Sequence, residues 1–247
     1  MARTLPLPRR MIAAWRRLGM GRRRRLAESE PGLPATLALH DLPLAVLDTE
    51  TTGLNPLKDR IVSIGGLHWR QDAAEALQLD LRVHPGRPIP ASATRIHGID
   101  NAAVAAAPPF ALIGGMVIRF WQHRVLLGHN IGFDLALLRA EAERARLPFR
   151  RPPAALDIGL LYAALFPREQ SYTLEGIAAR LDVHIQHRHE ALGDCETAAA
   201  LWCALRPHLA AQGVGTLGAA RELMCRPRDL VFNQRQAGWA LDLLLPE

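Results

Sequence analysis

Cysteine is scarce in this chain of 247 residues: Cys195, Cys203 and Cys225 are the only three. Their number is odd and no two form a C-x-x-C pair. That speaks against a disulfide framework or a zinc knuckle and fits a reducing compartment. Lysine is scarcer still, with Lys58 standing alone among the basic residues. Codon composition produces such an arginine bias as readily as nucleic-acid contact does, so arginine richness carries no weight as a binding signal. Long apolar runs are missing too. The best, residues 110–118, ends at Arg119, whereas a membrane span needs about 20 apolar residues. No continuous apolar stretch of signal-peptide length is present near residue 1. These absences set the expectation of a cytoplasmic protein with no transmembrane segment.

What is present is a core-forming composition, 49% hydrophobic, enough for one sizeable core. The formal charge of +6 is unevenly placed. Nine of the 30 basic side chains and none of the 24 acids lie in residues 1–25, leaving 21 basic and 24 acidic side chains, a charge of −3, on the rest. The basicity therefore belongs to an Arg-rich tail, residues 1–35. Within it, Met11, Ile12, Trp15 and Leu18 fit one side of a short basic helix. A solvated extension, a nucleic-acid contact and an anionic membrane contact all suit such a segment.

The body opens with residues 44–47, an unbroken apolar run ending in Asp48, which reads as a buried central strand. Residues 60–69 and 77–84 read as two further strands. Gly65 and Gly66 mark a bulge or bend, and Gln71-Asp72 marks the turn between the strands. Short links make this an antiparallel meander. A helix follows over residues 110–123, then a short strand at 125–127, and a helix with Leu135, Leu138, Ala142 and Ala145 on one face. Residues 154–156 supply a fifth strand. Leu174, Ile177, Ala178 and Leu181 recur at helical spacing, as do Ala198, Leu201, Trp202 and Leu205. After a break at residues 213–218, residues 219–247 read as helical and peripheral. The expected class is α/β: a mixed five-stranded sheet flanked by helices. The expected division is a tail (1–35), a main domain (36–212) and a C-terminal helical extension (213–247).

Three acidic segments carry the chemistry. Asp48-Thr49-Glu50 closes the central strand, and residues two apart on a strand point the same way. Two carboxylates projecting together repel unless a cation lies between them; an acidic turn before Gly53 is the plainer alternative. Gly128-His129-Asn130-Ile131-Gly132-Phe133-Asp134 runs from strand into helix, with Asp134 in the first turn, where a carboxylate also suits the helix dipole. Asp194 lies four, seven, eight and eleven residues before Ala198, Leu201, Trp202 and Leu205, on the inward stripe of its helix. An inward carboxylate needs a partner, a metal or an N-cap role. His189 stands on the preceding turn, with His184 and His187 as competitors. Four carboxylates carry a charge that two divalent cations neutralise. Oxygen ligands favour Mg²⁺ or Mn²⁺ over zinc, two ions suit phosphoryl chemistry, and a histidine serves as base for an attacking water.

These segments resemble the DEDDh-type (DnaQ-like) 3′–5′ exonucleases, the group containing the proofreading epsilon subunit of bacterial DNA polymerase III and RNase T. The resemblance spans about residues 43–205 and rests on Val46-Leu47-Asp48-Thr49-Glu50-Thr51-Thr52-Gly53-Leu54, the Gly128–Asp134 segment, and His189-Glu190-Ala191-Leu192-Gly193-Asp194. The family's H-x4-D spacing selects His189. Ile96-His97-Gly98-Ile99 and Tyr172-Thr173-Leu174 add to it. The resemblance implies an RNase H-like fold, metal ligation by Asp48, Glu50, Asp134 and Asp194, and His189 as general base, all five counted as catalytic. It implies release of nucleoside 5′-monophosphates from a free 3′ end, with DNA favoured and two Mg²⁺ or Mn²⁺ ions as cofactors. Thr51, Thr52, Leu54, His97, Asn130 and Phe133 would line the pocket for the terminal nucleotides; Leu54 and Phe133 equally suit packing. The alternatives are a dedicated proofreading subunit bound to a DNA polymerase, an RNA-trimming exoribonuclease, and an inactive nucleic-acid-binding module. Relatives that dimerise keep a homodimer among the partner readings.

Overall fold

A computed structural model describes residues 33–70 and 72–246. The basic helix anticipated within residues 9–25 and the turn residue Gln71 lie outside the described residues.

Three strands open the body: β1 (Leu44–Thr51), β2 (Ile61–Arg70) and β3 (Ala73–Arg82). Two short helices, α1 (Ala91–His97) and α2 (Asn101–Val104), follow, then α3 (Phe110–Phe120), β4 (Val125–Gly128) and α4 (Ile131–Arg144). Next come β5 (Ala154–Asp157), α5 (Ile158–Leu165), α6 (Leu174–Arg180), the long α7 (Ala191–Ala211), α8 (Leu217–Leu223) and α9 (Arg228–Gln236). The five strands form one sheet in the order β3-β2-β1-β4-β5. β1, β2 and β3 pair antiparallel as the anticipated meander, while β4 and β5 join in parallel. The mixed five-stranded sheet flanked by helices is therefore present. β1 lies at its centre, and Leu44 to Leu47 are all buried there, which is why that stretch is apolar without alternation.

Three expectations need correction. β3 starts at Ala73, earlier than residue 77, because Ala73 and Ala74 pair with Arg70 and Trp69 even without large side chains to pack. Gly65 and Gly66 make no bulge: they keep register opposite Asp48 and Leu47, and the β2–β3 irregularity falls between Leu67 and Trp69. Their service is close approach. A Cβ on Gly65 would lie 2.1 Å from the carbonyl carbon of Ala191, and one on Gly66 would lie 2.8 Å from the Phe120 ring. The absent side chain at 65 lets the first turn of α7 rest on β2. Residues 219–247 are helical in part but not peripheral: Ala240, Leu241 and Leu244 are buried in the main core. The Ala240 N–H donates to the Gly132 carbonyl over 2.9 Å, so this segment braces the start of α4. Among the described residues, no helix is long and apolar enough to cross a membrane.

Candidate active site

The site forms where the C-terminal end of β1 meets the first turns of α4 and α7. Asp48 and Glu50 are half-buried on one face of β1, and Thr49 between them is buried. Alternation thus sends Thr49 the other way, and its hydroxyl donates to Asp134 Oδ1 over 2.6 Å. Asp134 is itself buried in the first turn of α4. The chain enters that helix through Asn130, whose φ of 58° is left-handed, a conformation asparagine tolerates better than most residues.

α7 brings the remaining groups. Its first turn, seated on Gly65 opposite Asp48, carries Asp194 to β1. Ligating atoms of Glu50, His189 and Asp194 lie within 4.8 Å of one another. Burial raises Asp48 well above the usual carboxylate range, and the charges of Asp134, Asp194 and Glu50 raise it further. Burial, then the charge of Asp194, pushes Glu50 up to about 8. Burial pushes Asp134 up to about 7, against the hydrogen bond from Thr49. Burial also raises Asp194, against the nearby Arg188 and His189. The structure therefore brings Glu50, Asp194 and His189 directly together, and sets Asp48 where the charges of Asp134, Asp194 and Glu50 all repel its own.

Asp194 is the informative member. Arg188 Nη1 donates to its Oδ2, while its Oδ1 is buried without a hydrogen-bond partner. An orphaned carboxylate oxygen at the centre of an acidic cluster is what a cation would satisfy. The donor set is oxygen-rich with one imidazole, which suits Mg²⁺ or Mn²⁺.

The anticipated substrate residues end or follow β1, belong to α1, or open α4. His97 Nδ1 accepts from the Ile99 N–H over 3.1 Å, so its Nε2 carries the proton and donates to the Thr51 carbonyl over 3.2 Å. That pair ties α1 to the end of β1. Thr51 and Thr52 are buried, their hydroxyls bonded to the Gly53 carbonyl and to Asp59 Oδ1, which leaves their side chains occupied with the turn. Leu54 beyond them is 86% exposed. Phe133 is half-buried, 6.0 Å from the Trp239 ring, and Asn130 lies across the first turn of α4 beside Gln234.

Three residues at the site had no distinguishing signal in the sequence. Thr49 is the unnamed middle of an acidic pair. Arg188 sits between two histidines in a loop and bonds both Asp194 and Glu175, the latter over 2.6 Å. Asp157 ends β5 fully buried and caps α5 by accepting from the Leu160 N–H over 3.0 Å.

A carboxylate cluster at the end of the central strand of an RNase H-like sheet defines a nuclease of the exonuclease type. Residues 45–202 match the exonuclease family model of RNase T, and the chain belongs to that family, in its DEDDh branch. A DNA polymerase III subunit epsilon-like protein of Rhodobacter capsulatus is 39% identical over 208 residues, covering 82% of this chain and 28% of that protein. A PolC-type DNA polymerase III of Latilactobacillus sakei is 30% identical over 67% of this chain and 12% of its own length. The chain thus spans well under a third of either relative. Among solved structures, E. coli exonuclease I in complex with a dT13 oligonucleotide superposes with a TM-score of 0.62 at 16% identity, over 79% of this chain and 44% of that one. Exonuclease X in complex with 5′ overhanging duplex DNA gives 0.56 at 26% identity, over 73% and 99%.

Proposed function

We propose that the chain is a metal-dependent 3′–5′ exonuclease that removes nucleoside 5′-monophosphates from the 3′ end of single-stranded DNA. The observation that carries this reading is the cluster of Glu50, His189 and Asp194, whose ligating atoms lie within 4.8 Å of one another, with Asp194 Oδ1 buried and unpartnered and Asp48 feeling the charges of Glu50, Asp134 and Asp194. Asp48, Glu50, Asp134 and Asp194 would hold two divalent cations. When bound, such cations stabilise charge on the attacking and leaving oxygens of an in-line displacement.

The chain's own groups do the rest. His189 stands within reach of Glu50 and Asp194 and takes the proton of the attacking water. The water oxygen bonds to phosphorus as the bond to the 3′-oxygen of the preceding nucleotide breaks. That oxygen gains a proton and becomes the new 3′ end. Thr49 holds Asp134 in place. Leu54, with the adjoining Thr51-Thr52 backbone and His97, forms the rim for the terminal nucleotide, with Asn130 and Phe133 facing it.

DNA is preferred as substrate because exonuclease X, 26% identical over 73% of this chain, is described with duplex DNA. A second reading, a proofreading subunit of a DNA polymerase, is favoured by the epsilon-like relative at 39% identity; the chemistry is the same. Digestion of matched 5′-labelled DNA and RNA oligonucleotides tests the proposal. A DNA ladder shortening from the 3′ end with Mg²⁺ or Mn²⁺, abolished by chelation and by Asp48→Ala, is expected. Full activity in Asp48→Ala, or undiminished cutting under chelation, contradicts it.

A further inference from the structure

Arg188 is shared between two helices. Its Nη1 donates to Asp194 Oδ2 in the first turn of α7, and its Nε donates to Glu175 Oε1 over 2.6 Å in the first turn of α6. The start of α6 is itself well fixed. Leu174 is buried there, and Thr173 caps the helix by accepting from the Gly176 N–H over 3.1 Å. The Tyr172-Thr173-Leu174 segment therefore leads to a carboxylate that meets the site through Arg188.

Arginine–carboxylate pairs in this chain differ in what the carboxylate has left to do. Arg206 bonds Asp72 Oδ2 over 2.6 Å, but that aspartate side chain is 53% exposed, and an exposed pair contributes little. The Asp194 side chain is 4% exposed. Its Oδ2 is taken by Arg188, and its Oδ1 has no hydrogen-bond partner. A carboxylate gripped by one oxygen cannot turn without breaking that bond, so the direction of the other oxygen is set. A planar guanidinium supplies direction as well as charge. Burial raises Asp48, Glu50 and Asp194, and the charge of Arg188 pulls all three back. That charge alone would also repel a cation at the cluster. Glu175 offsets it, so the pair offers direction with little net charge. On either side of Arg188, His187 and His189 have φ of 53° and 63°, a left-handed conformation that costs a residue with a Cβ. Backbone preference does not hold this loop, whereas the two bonds of Arg188 do.

We infer that Arg188 is a positioning residue for the metal centre: held by Glu175, it fixes Asp194 through Oδ2 and leaves Oδ1 as the oxygen for a cation shared with Glu50 and His189. The inference rests on the metal-dependent reading of the site. Groups that hydrogen-bond a ligating carboxylate orient it and tune its affinity. Arg188 does this for Asp194, and Glu175 acts one step further out, through the guanidinium.

The test reads Mn²⁺ binding to the full chain by calorimetric titration, without nucleic acid and so without turnover. Arg188→Gln is expected to raise the Mn²⁺ Kd roughly 10- to 100-fold. Glu175→Gln, at an exposed position, is expected to raise it by a smaller factor, and to have no further effect in the Arg188→Gln background. Arg188→Lys, which keeps the charge and loses the planar fork, recovers only part of the affinity. An unchanged or tighter Kd in Arg188→Gln overturns the inference, since a guanidinium that only competes with the cation gives that result. Full wild-type affinity in Arg188→Lys overturns the directional role. Effects of Arg188→Gln and Glu175→Gln that simply add overturn the relay and leave two independent ion pairs. If Arg188→Gln does not fold, Glu175→Gln decides alone, and a wild-type Kd there overturns the inference. Wild-type protein that binds no Mn²⁺ defeats the metal reading itself, a result distinct from binding that Arg188→Gln leaves untouched.

Discussion

Thr49 Oγ1 donates to Asp134 Oδ1 over 2.6 Å, joining the central strand to the first turn of α4. The residue between two carboxylates of β1 thus reaches a third carboxylate, on α4. This bond works against the burial that pushes Asp134 up to about 7. Thr49→Val keeps the shape and removes the donor. Partners of this kind cost roughly 10- to 100-fold in metal affinity when lost. Exonuclease activity measured against Mn²⁺ concentration is expected to shift to higher concentration by that factor. A superimposable Mn²⁺ curve would show that the bond does not position Asp134.

Gly65 makes the cluster possible by lacking a side chain. The obstacle to a Cβ there is the Ala191 backbone at 2.1 Å, which cannot swing aside as a long side chain would. Gly65→Ala is expected to push α7 away from β1 and to destabilise the fold by about 1–3 kcal/mol or more. A scanning melt should fall by several degrees, and activity should drop with it because Asp194 moves. A variant with wild-type melting and wild-type activity would mean that the helix seats itself elsewhere.

His189 is assigned the proton of the attacking water. His189→Ala is expected to lower kcat by roughly 10²–10⁴ without a matching loss of oligonucleotide affinity. Single-turnover kinetics measure the first and filter binding the second. Near-normal turnover would point to a different base.

The raised carboxylates make the metal-free protein sensitive to alkali. A carboxyl held higher in the folded chain than in the unfolded one adds stability in full below its ordinary range, roughly pH 4, and loses it as pH climbs through the folded value. With Asp134 at about 7 and Glu50 at about 8, the loss falls mainly between pH 4 and 8. Melts in chelator should therefore decline from pH 5.5 to 8.5. Added Mg²⁺ should raise the midpoint more at 8.5 than at 5.5, where protons still compete for the same oxygens. A Mg²⁺ effect that is greater at pH 5.5 would contradict the shifts.

Much of this was legible in the sequence, for identifiable reasons. The run at residues 44–47 announced a buried strand, and Asp48 and Glu50 two apart on a strand had to share a face. Asp194 ahead of Ala198, Leu201 and Leu205 had to point inward. Pairwise geometry between distant segments was not legible. Gly65 read as a bend because nothing nearby reveals that Ala191 will rest on it. Thr49 gave no sign of bonding to a residue 85 positions away. Residues 219–247 read as peripheral because Pro227 and Gly238 divide their apolar residues into pieces too short for a sustained periodicity, yet Ala240, Leu241 and Leu244 enter the core.

The claim beneath all of this is that one cluster of carboxylates binds divalent ions, and counting Mn²⁺ by electron paramagnetic resonance at pH 8 tests it most directly. About two ions per chain are expected for the wild type, the number two-metal phosphoryl chemistry requires, with at least one lost in Asp48→Asn and in Asp194→Asn. No bound Mn²⁺ in the wild type, or the same count in both variants, would contradict it.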